Sequence, residues 1–180
     1  NYPRAQARDL HAIGDTLYFA NPSYFNGKEL WKSDGTTSGT MMVKDINSGT
    51  GDGLGGVPAF YAIGNTVYFF ADDGTNGMEL WKTDGTASGT MMVKDINSGS
   101  ASSMVNCPSG TTKNYHCVVF NNNLYFQADD GTNGRELWKS DGTTSGTVMV
   151  KDIQSGSGHG YPAEFQVLGN TLYFRADDGI

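Results

Sequence analysis

Residues 77–96 read Gly77-Met78-Glu79-Leu80-Trp81-Lys82-Thr83-Asp84-Gly85-Thr86-Ala87-Ser88-Gly89-Thr90-Met91-Met92-Val93-Lys94-Asp95-Ile96, and the chain writes nearly the same line twice more, from Gly27 to Ile46 and from Gly134 to Ile153. Internal repetition decides architecture before any single residue is given a role. Working outward, each copy is preceded by a second landmark ending in Tyr-Phe: Tyr18-Phe19, Tyr68-Phe69 and Tyr125-Phe126. A fourth, Tyr173-Phe174, has no Trp after it before Ile180.

The step from Tyr to Trp is 13 residues in every copy, and the step from Trp to the Val of Val-Lys-Asp-Ile is 12. Only the step from that Val to the next Tyr varies, taking 25, 32 and 23 residues. A packed module joined by a surface loop behaves this way, because loops accept insertion and packed strands do not. Successive Tyr landmarks are 50, 57 and 48 residues apart. Periods of roughly 40–50 residues with four short strands each are the mark of propeller blades.

The second copy predicts four strands: Ala59–Ile63, Thr66–Ala71, Met78–Lys82 and Thr90–Ile96. Gly64-Asn65, the Asp72–Gly77 stretch and Asp84-Gly85 supply turns suited to positive φ. No segment carries apolar residues at helical spacing over three turns. Runs such as Met91-Met92-Val93 suit sheets covered on both faces. The expected fold is therefore all-β: a β-propeller-like array of four-stranded antiparallel blades, about three and a half in this chain. Residues 1–180 form one repeat array, with repeats at approximately 7–56, 57–113 and 114–160 and a partial one at 161–180. An inserted, cysteine-bearing loop spans 100–117.

Within a blade, Trp31, Trp81 and Trp138 and Tyr18, Tyr68, Tyr125 and Tyr173 are expected to fill the wedge between sheets. An exposed sugar-stacking platform is the competing reading for the Trp residues. Asp34, Asp84 and Asp141 are expected to staple the turn between the third and fourth strands through their own backbone. Cys107 and Cys117 lie ten apart in the inserted loop. A disulfide between them would pin that loop for about 2–3 kcal/mol and imply an oxidising compartment; two free thiols are the alternative.

Clustered carboxamide and carboxylate oxygens on glycine-rich turns suit Ca2+, which takes hard oxygen donors. Such turns hold Asp72, Asp73 and Asn76, and again Asp129, Asp130 and Asn133. A solvated turn is the competing reading, and no cofactor is required by either. Catalysis draws no repeated constellation: His11, His116 and His159 occupy unrelated repeat positions, and geometry makes a triad, not presence. With a formal charge of −7 and a pI of about 4.7, nucleic acid is not an expected partner. No stretch reaches the ~20 apolar residues of a membrane helix.

Glu-Leu-Trp-Lys-Ser-Asp-Gly-Thr, followed by Gly-Thr and Val-Lys-Asp-Ile, resembles the ELWxxDGT repeat family of bacterial surface and secreted proteins, sometimes labelled hyalin-like. The match covers three full copies and most of the chain; the cysteine-bearing connector departs from it. The resemblance implies an exported, non-catalytic structural or adhesive protein and offers no catalytic residues to transfer. Members are usually longer, so it also implies a segment of a larger protein. Three and a half blades do not close a ring, and an unpaired edge invites another chain. Head-to-tail self-association into a ring or filament is thus expected. A lectin-like or Ca2+-dependent module binding a glycan or surface ligand is the alternative.

Overall fold

The computed structural model describes residues 8–56, 58–104 and 116–180. Its strands fall into consecutive sheets, all antiparallel and each ordered as the chain runs. The first sheet holds β1 (Arg8–Ile13), β2 (Thr16–Ser23), β3 (Gly27–Ser33) and β4 (Met41–Lys44). The second holds β5 (Tyr61–Ile63), β6 (Thr66–Asp72), β7 (Met78–Thr83) and β8 (Met91–Lys94). The third holds β9 (Cys117–Phe120), β10 (Asn123–Asp129), β11 (Arg135–Ser140) and β12 (Val148–Lys151). A two-stranded sheet follows, β13 (Ala163–Leu168) with β14 (Thr171–Arg175). No helix occurs among the described residues, so none is long and apolar enough to cross a membrane.

Register repeats from sheet to sheet. Phe19 lies opposite Trp31, Phe69 opposite Trp81 and Phe126 opposite Trp138. The third and fourth strands slip at the same place each time, between Leu30 and Trp31, Leu80 and Trp81, and Leu137 and Trp138. Such an irregularity re-aims side chains and sharpens local twist. The first and fourth strands of the second copy are shorter than the apolar pattern predicts, Tyr61–Ile63 and Met91–Lys94. Thr90 leaves the ladder because its hydroxyl bonds back to the Thr86 carbonyl (2.6 Å), and Ile96 because its N–H is taken by Glu79 (3.0 Å).

Both faces of the second sheet are buried, which explains the continuous apolar runs. Val67, Phe69, Ala71 and Trp81 join Tyr18, Ala20, Leu30 and Val43 of the first sheet in one core. Tyr68, Phe70, Leu80 and Val93 join Leu124, Phe126, Ala128 and Trp138 of the third in another. Consecutive sheets therefore stack face to face, each strand sending alternate side chains to alternate neighbours. Phe69 and Phe126 are wholly buried, and each such ring contributes about 1.5–3 kcal/mol by leaving water.

The connectors stitch the sheets together. The Leu54 N–H bonds the Lys28 carbonyl, and the Gly53 carbonyl accepts from the Asp72 N–H of the next sheet, both at 2.9 Å. Ser103 plays both parts one repeat on, between Met78 and Asp129, as Tyr161 and Gly160 do with Arg135 and Asp177.

Candidate functional site

The features built three times over lie at the edges and junctions of the sheets, and each has a physical cause in the repeated line. The leading glycine comes first. Gly27, Gly77 and Gly134 have φ of 64°, 69° and 71°. A Cβ on any of them would overlap the connector backbone, at Gly51, Ala101 and Gly158 respectively.

Two residues on stands a glutamate that sequence reasoning gave no role. Glu29, Glu79 and Glu136 are completely buried. Glu29 accepts from the backbone N–H groups of Ile46 (2.9 Å), Asn47 (3.3 Å) and Gly53 (2.9 Å). Glu79 accepts from Ile96, Asn97 and Ser103, and also from the Ser103 hydroxyl at 2.6 Å. Glu136 accepts from Ile153, Gln154 and Gly160. Each carboxyl thus replaces a strand partner for the connector leaving its own sheet. Burial pushes Glu29 up to about 7, against the downward pull of its three N–H donors, and the charge of Asp45 adds to the rise. Burial likewise raises Glu79, opposed by the Ser103 hydroxyl and the backbone donors. The available signal was a carboxylate at a fixed place in a strand otherwise fit for a core.

The Asp-Gly-Thr turn is self-contained. Asp84 accepts from the Thr86 N–H (2.9 Å) and the Thr86 hydroxyl (2.7 Å), and Asp34 and Asp141 do the same with Thr36 and Thr143. The threonine hydroxyl, then its N–H, hold all three carboxyls below the usual range. The same hydroxyl accepts from the N–H of Gly39, Gly89 or Gly146. A Cβ on any of these glycines would overlap the aspartate carboxylate. One geometry thus accounts for the Asp, both Gly and the Thr of the motif.

The same turn receives the preceding sheet. Lys32 Nζ donates to the Gly85 carbonyl (2.7 Å) and Lys82 Nζ to the Gly142 carbonyl (2.8 Å). Lys44 Nζ donates to the Thr90 carbonyl (2.7 Å) and Lys94 Nζ to the Thr147 carbonyl (2.9 Å). These last two ammoniums also lie over indoles, Lys44 at 5.8 Å from the Trp81 centroid and Lys94 at 5.6 Å from that of Trp138. The Tyr68 hydroxyl donates to the Asp141 carbonyl at 3.3 Å. Both lysines of the motif are inter-sheet latches. A groove of about 370 Å3 opens beside this contact, lined by Thr66, Tyr68, Lys82, Asp84, Met91 and Asp141.

The aromatic residues named from sequence divide by position. Trp81 and Trp138 are 6% exposed and Tyr18 and Tyr68 are equally buried. Trp31 and Tyr125 are half-buried, and Tyr173 is 56% exposed. The difference is whether a full neighbouring sheet lies on that face among the described residues.

The acidic loops spend their oxygens internally. Asp72 accepts from the Gly74 N–H, and Asp73 Oδ1 from the N–H groups of Thr75 and Asn76 while Oδ2 takes the Asn76 amide at 2.8 Å. Asp129, Asp130 and Asn133 repeat this arrangement. Burial works to raise Asp73 and Asp130, but the asparagine backbone and amide donors outweigh it and leave both below the usual range. No three acidic, histidine or cysteine side chains gather to hold a metal among the described residues.

The histidines stay apart in role. His11 packs edge-on to Phe60. Burial lowers the pKa of His116, and His159 Nδ1 accepts the Arg135 N–H at 3.0 Å. Cys117 heads β9, is fully buried and is not a free thiol; Cys107 lies outside the described residues.

Fold and site together define a tandem array of four-stranded antiparallel sheets joined by a repeated latch. No family model matches the chain, and no curated protein matches it.

Proposed function

We propose that this is a non-catalytic structural or adhesive repeat protein of propeller type, exported to the cell surface or beyond, and that it associates with copies of itself. The observation that carries the reading is the latch. It is built in the same way at the two complete junctions, with Lys44 over Trp81 and Lys94 over Trp138, so one face of a repeat offers turn carbonyls and an indole and the opposite face lysines. Such a pairing is heterologous and grows into a ring or a filament according to its rotation. The ELWxxDGT resemblance supports the exported, structural reading.

Light scattering across a concentration series tests it. Mass rising with concentration is expected; a monomer at every concentration would refute self-association. Glycan or Ca2+-dependent binding is the second reading, favoured by the groove between Asp84 and Asp141, whose lining joins Tyr68 and Met91 to those two carboxylates. Glycan-array binding lost on chelation would favour it.

A further inference from the structure

The groove between the second and third sheets lies at a junction whose two sheets are both complete. Asp84 and Asp141 line it from adjoining turns, and Met91, 43% exposed, lies between them beside Tyr68. The donors of the groove are engaged. The Lys82 ammonium goes to the Gly142 carbonyl (2.8 Å) and the Tyr68 hydroxyl to the Asp141 carbonyl (3.3 Å). The carboxylates are not. Each uses Oδ1 for the N–H and hydroxyl of Thr86 or Thr143, and neither Oδ2 accepts a hydrogen bond among the described residues. Arg175 with Glu164 is the one ion pair among the described residues, so neither aspartate has a paired cation. The latch is the cause: Lys32, Lys44, Lys82 and Lys94 all donate to backbone carbonyls instead. The threonine hydroxyls, then their N–H groups, hold both carboxyls below the usual range, so both are charged at neutral pH.

We propose that this groove takes a lysine or arginine side chain of a basic partner polypeptide, its charged head at Asp84 and Asp141 and its methylene stem along Met91. Long cationic side chains lay their stems on apolar surface while the head stays with polar groups, and a groove of about 370 Å3 admits one such chain. The formal charge of −7 favours a basic partner at longer range. A neutral sugar brings hydroxyls but no charge to two unpaired carboxylates, which is why the polypeptide is preferred over the glycan for the same groove. The arrangement recurs one junction back, where Lys32 donates to the Gly85 carbonyl (2.7 Å) and Met41 is 44% exposed. A basic segment spanning both places gains from the second contact. The groove lies within one chain, so the proposal goes beyond self-association and does not depend on it.

Fluorescein-labelled hexalysine is titrated into the whole chain and followed by anisotropy, with hexaglutamate and a glucosamine tetramer as comparisons. Saturable binding of hexalysine alone is expected, weakening as salt is raised because exposed charges are screened. Asp84→Asn with Asp141→Asn keeps an Oδ1 acceptor for each turn, removes the charge, and should weaken binding about tenfold. Asp15→Asn with Asp52→Asn changes the net charge equally at exposed positions outside the groove and should leave affinity unchanged. Met91→Lys, at an exposed strand position, leaves both turns intact and should abolish binding by placing a cation in the groove. Melting temperatures check that each variant is folded. No hexalysine binding, equal losses from the two Asp pairs, or binding indifferent to Met91→Lys overturns the groove. Glucosamine binding without hexalysine binding overturns the polypeptide and returns the groove to the glycan reading. Light scattering reads self-association separately. A monomer that binds hexalysine through Asp84 and Asp141 supports the groove while removing self-association, and a self-associating chain that ignores hexalysine does the reverse.

Discussion

Glu79 is the residue on which most of one repeat converges. Its fully buried carboxyl holds four donors from the connector. Truncation to alanine leaves the Ile96 and Asn97 N–H groups without an acceptor, while the Ser103 N–H keeps the Met78 carbonyl; each orphaned group costs about 1–3 kcal/mol. We therefore expect Glu79→Ala to lower the unfolding free energy by at least about 2 kcal/mol in urea titrations; a loss under about 1 kcal/mol would mean the connector finds other acceptors. Glu29 adds a pH dependence. Its folded value of about 7 lies above the ordinary 4.5, so between those values the native state holds the extra proton. Its contribution to stability is complete below about 4.5 and is lost as pH rises through 7. The Asp34, Asp84 and Asp141 carboxyls run the other way, being depressed; their contribution is present above the ordinary value of 3.8 and fades as pH falls below it. Thermal unfolding should show higher stability near pH 5 than at pH 8, and Glu29→Gln should flatten that slope. An unchanged slope in the variant would remove Glu29 as its source.

At the scale of the element, the turn between the third and fourth strands is a closed unit of side-chain and backbone bonds. Gly89→Ala places a methyl where the Asp84 carboxylate sits, so a drop in melting temperature well beyond that of Ala87→Ser is expected. Equal melting temperatures would show that the turn yields easily. This turn was legible in the sequence because Asp-Gly-Thr and Ser-Gly-Thr signal local geometry. The strands were legible too, but their ends were not. Thr90 and Ile96 look like strand residues, and only contacts to Thr86 and Glu79 draw them out of the ladder. Glu29, Glu79 and Glu136 stood in the repeated line with no role assigned, since partners 17 to 24 residues away are invisible to local pattern. Lys32 and Lys44 look like ordinary surface charges for the same reason: their acceptors lie 53 and 46 residues on.

For the whole molecule, the repeat makes stability a matter of neighbours, as in other arrays whose units contact only those beside them. Trp81 belongs to the core between the first and second sheets. Trp81→Ala should cost about 3–5 kcal/mol, felt at that junction more than at the next. Hydrogen exchange read strand by strand would register faster opening in β2 and β7 than in β10; uniform acceleration would instead indicate a single cooperative core. The account rests on consecutive sheets lying face to face, with the lysine of one over the indole of the next. Nuclear Overhauser contacts between the Lys94 side chain and the Trp138 indole measure that stacking directly. The stacked array predicts cross-peaks, with the Lys94 methylene protons shifted upfield by the ring, and the same for Lys44 and Trp81. Lysine resonances at random-coil positions with no cross-peak to either indole, in the folded chain, would contradict it.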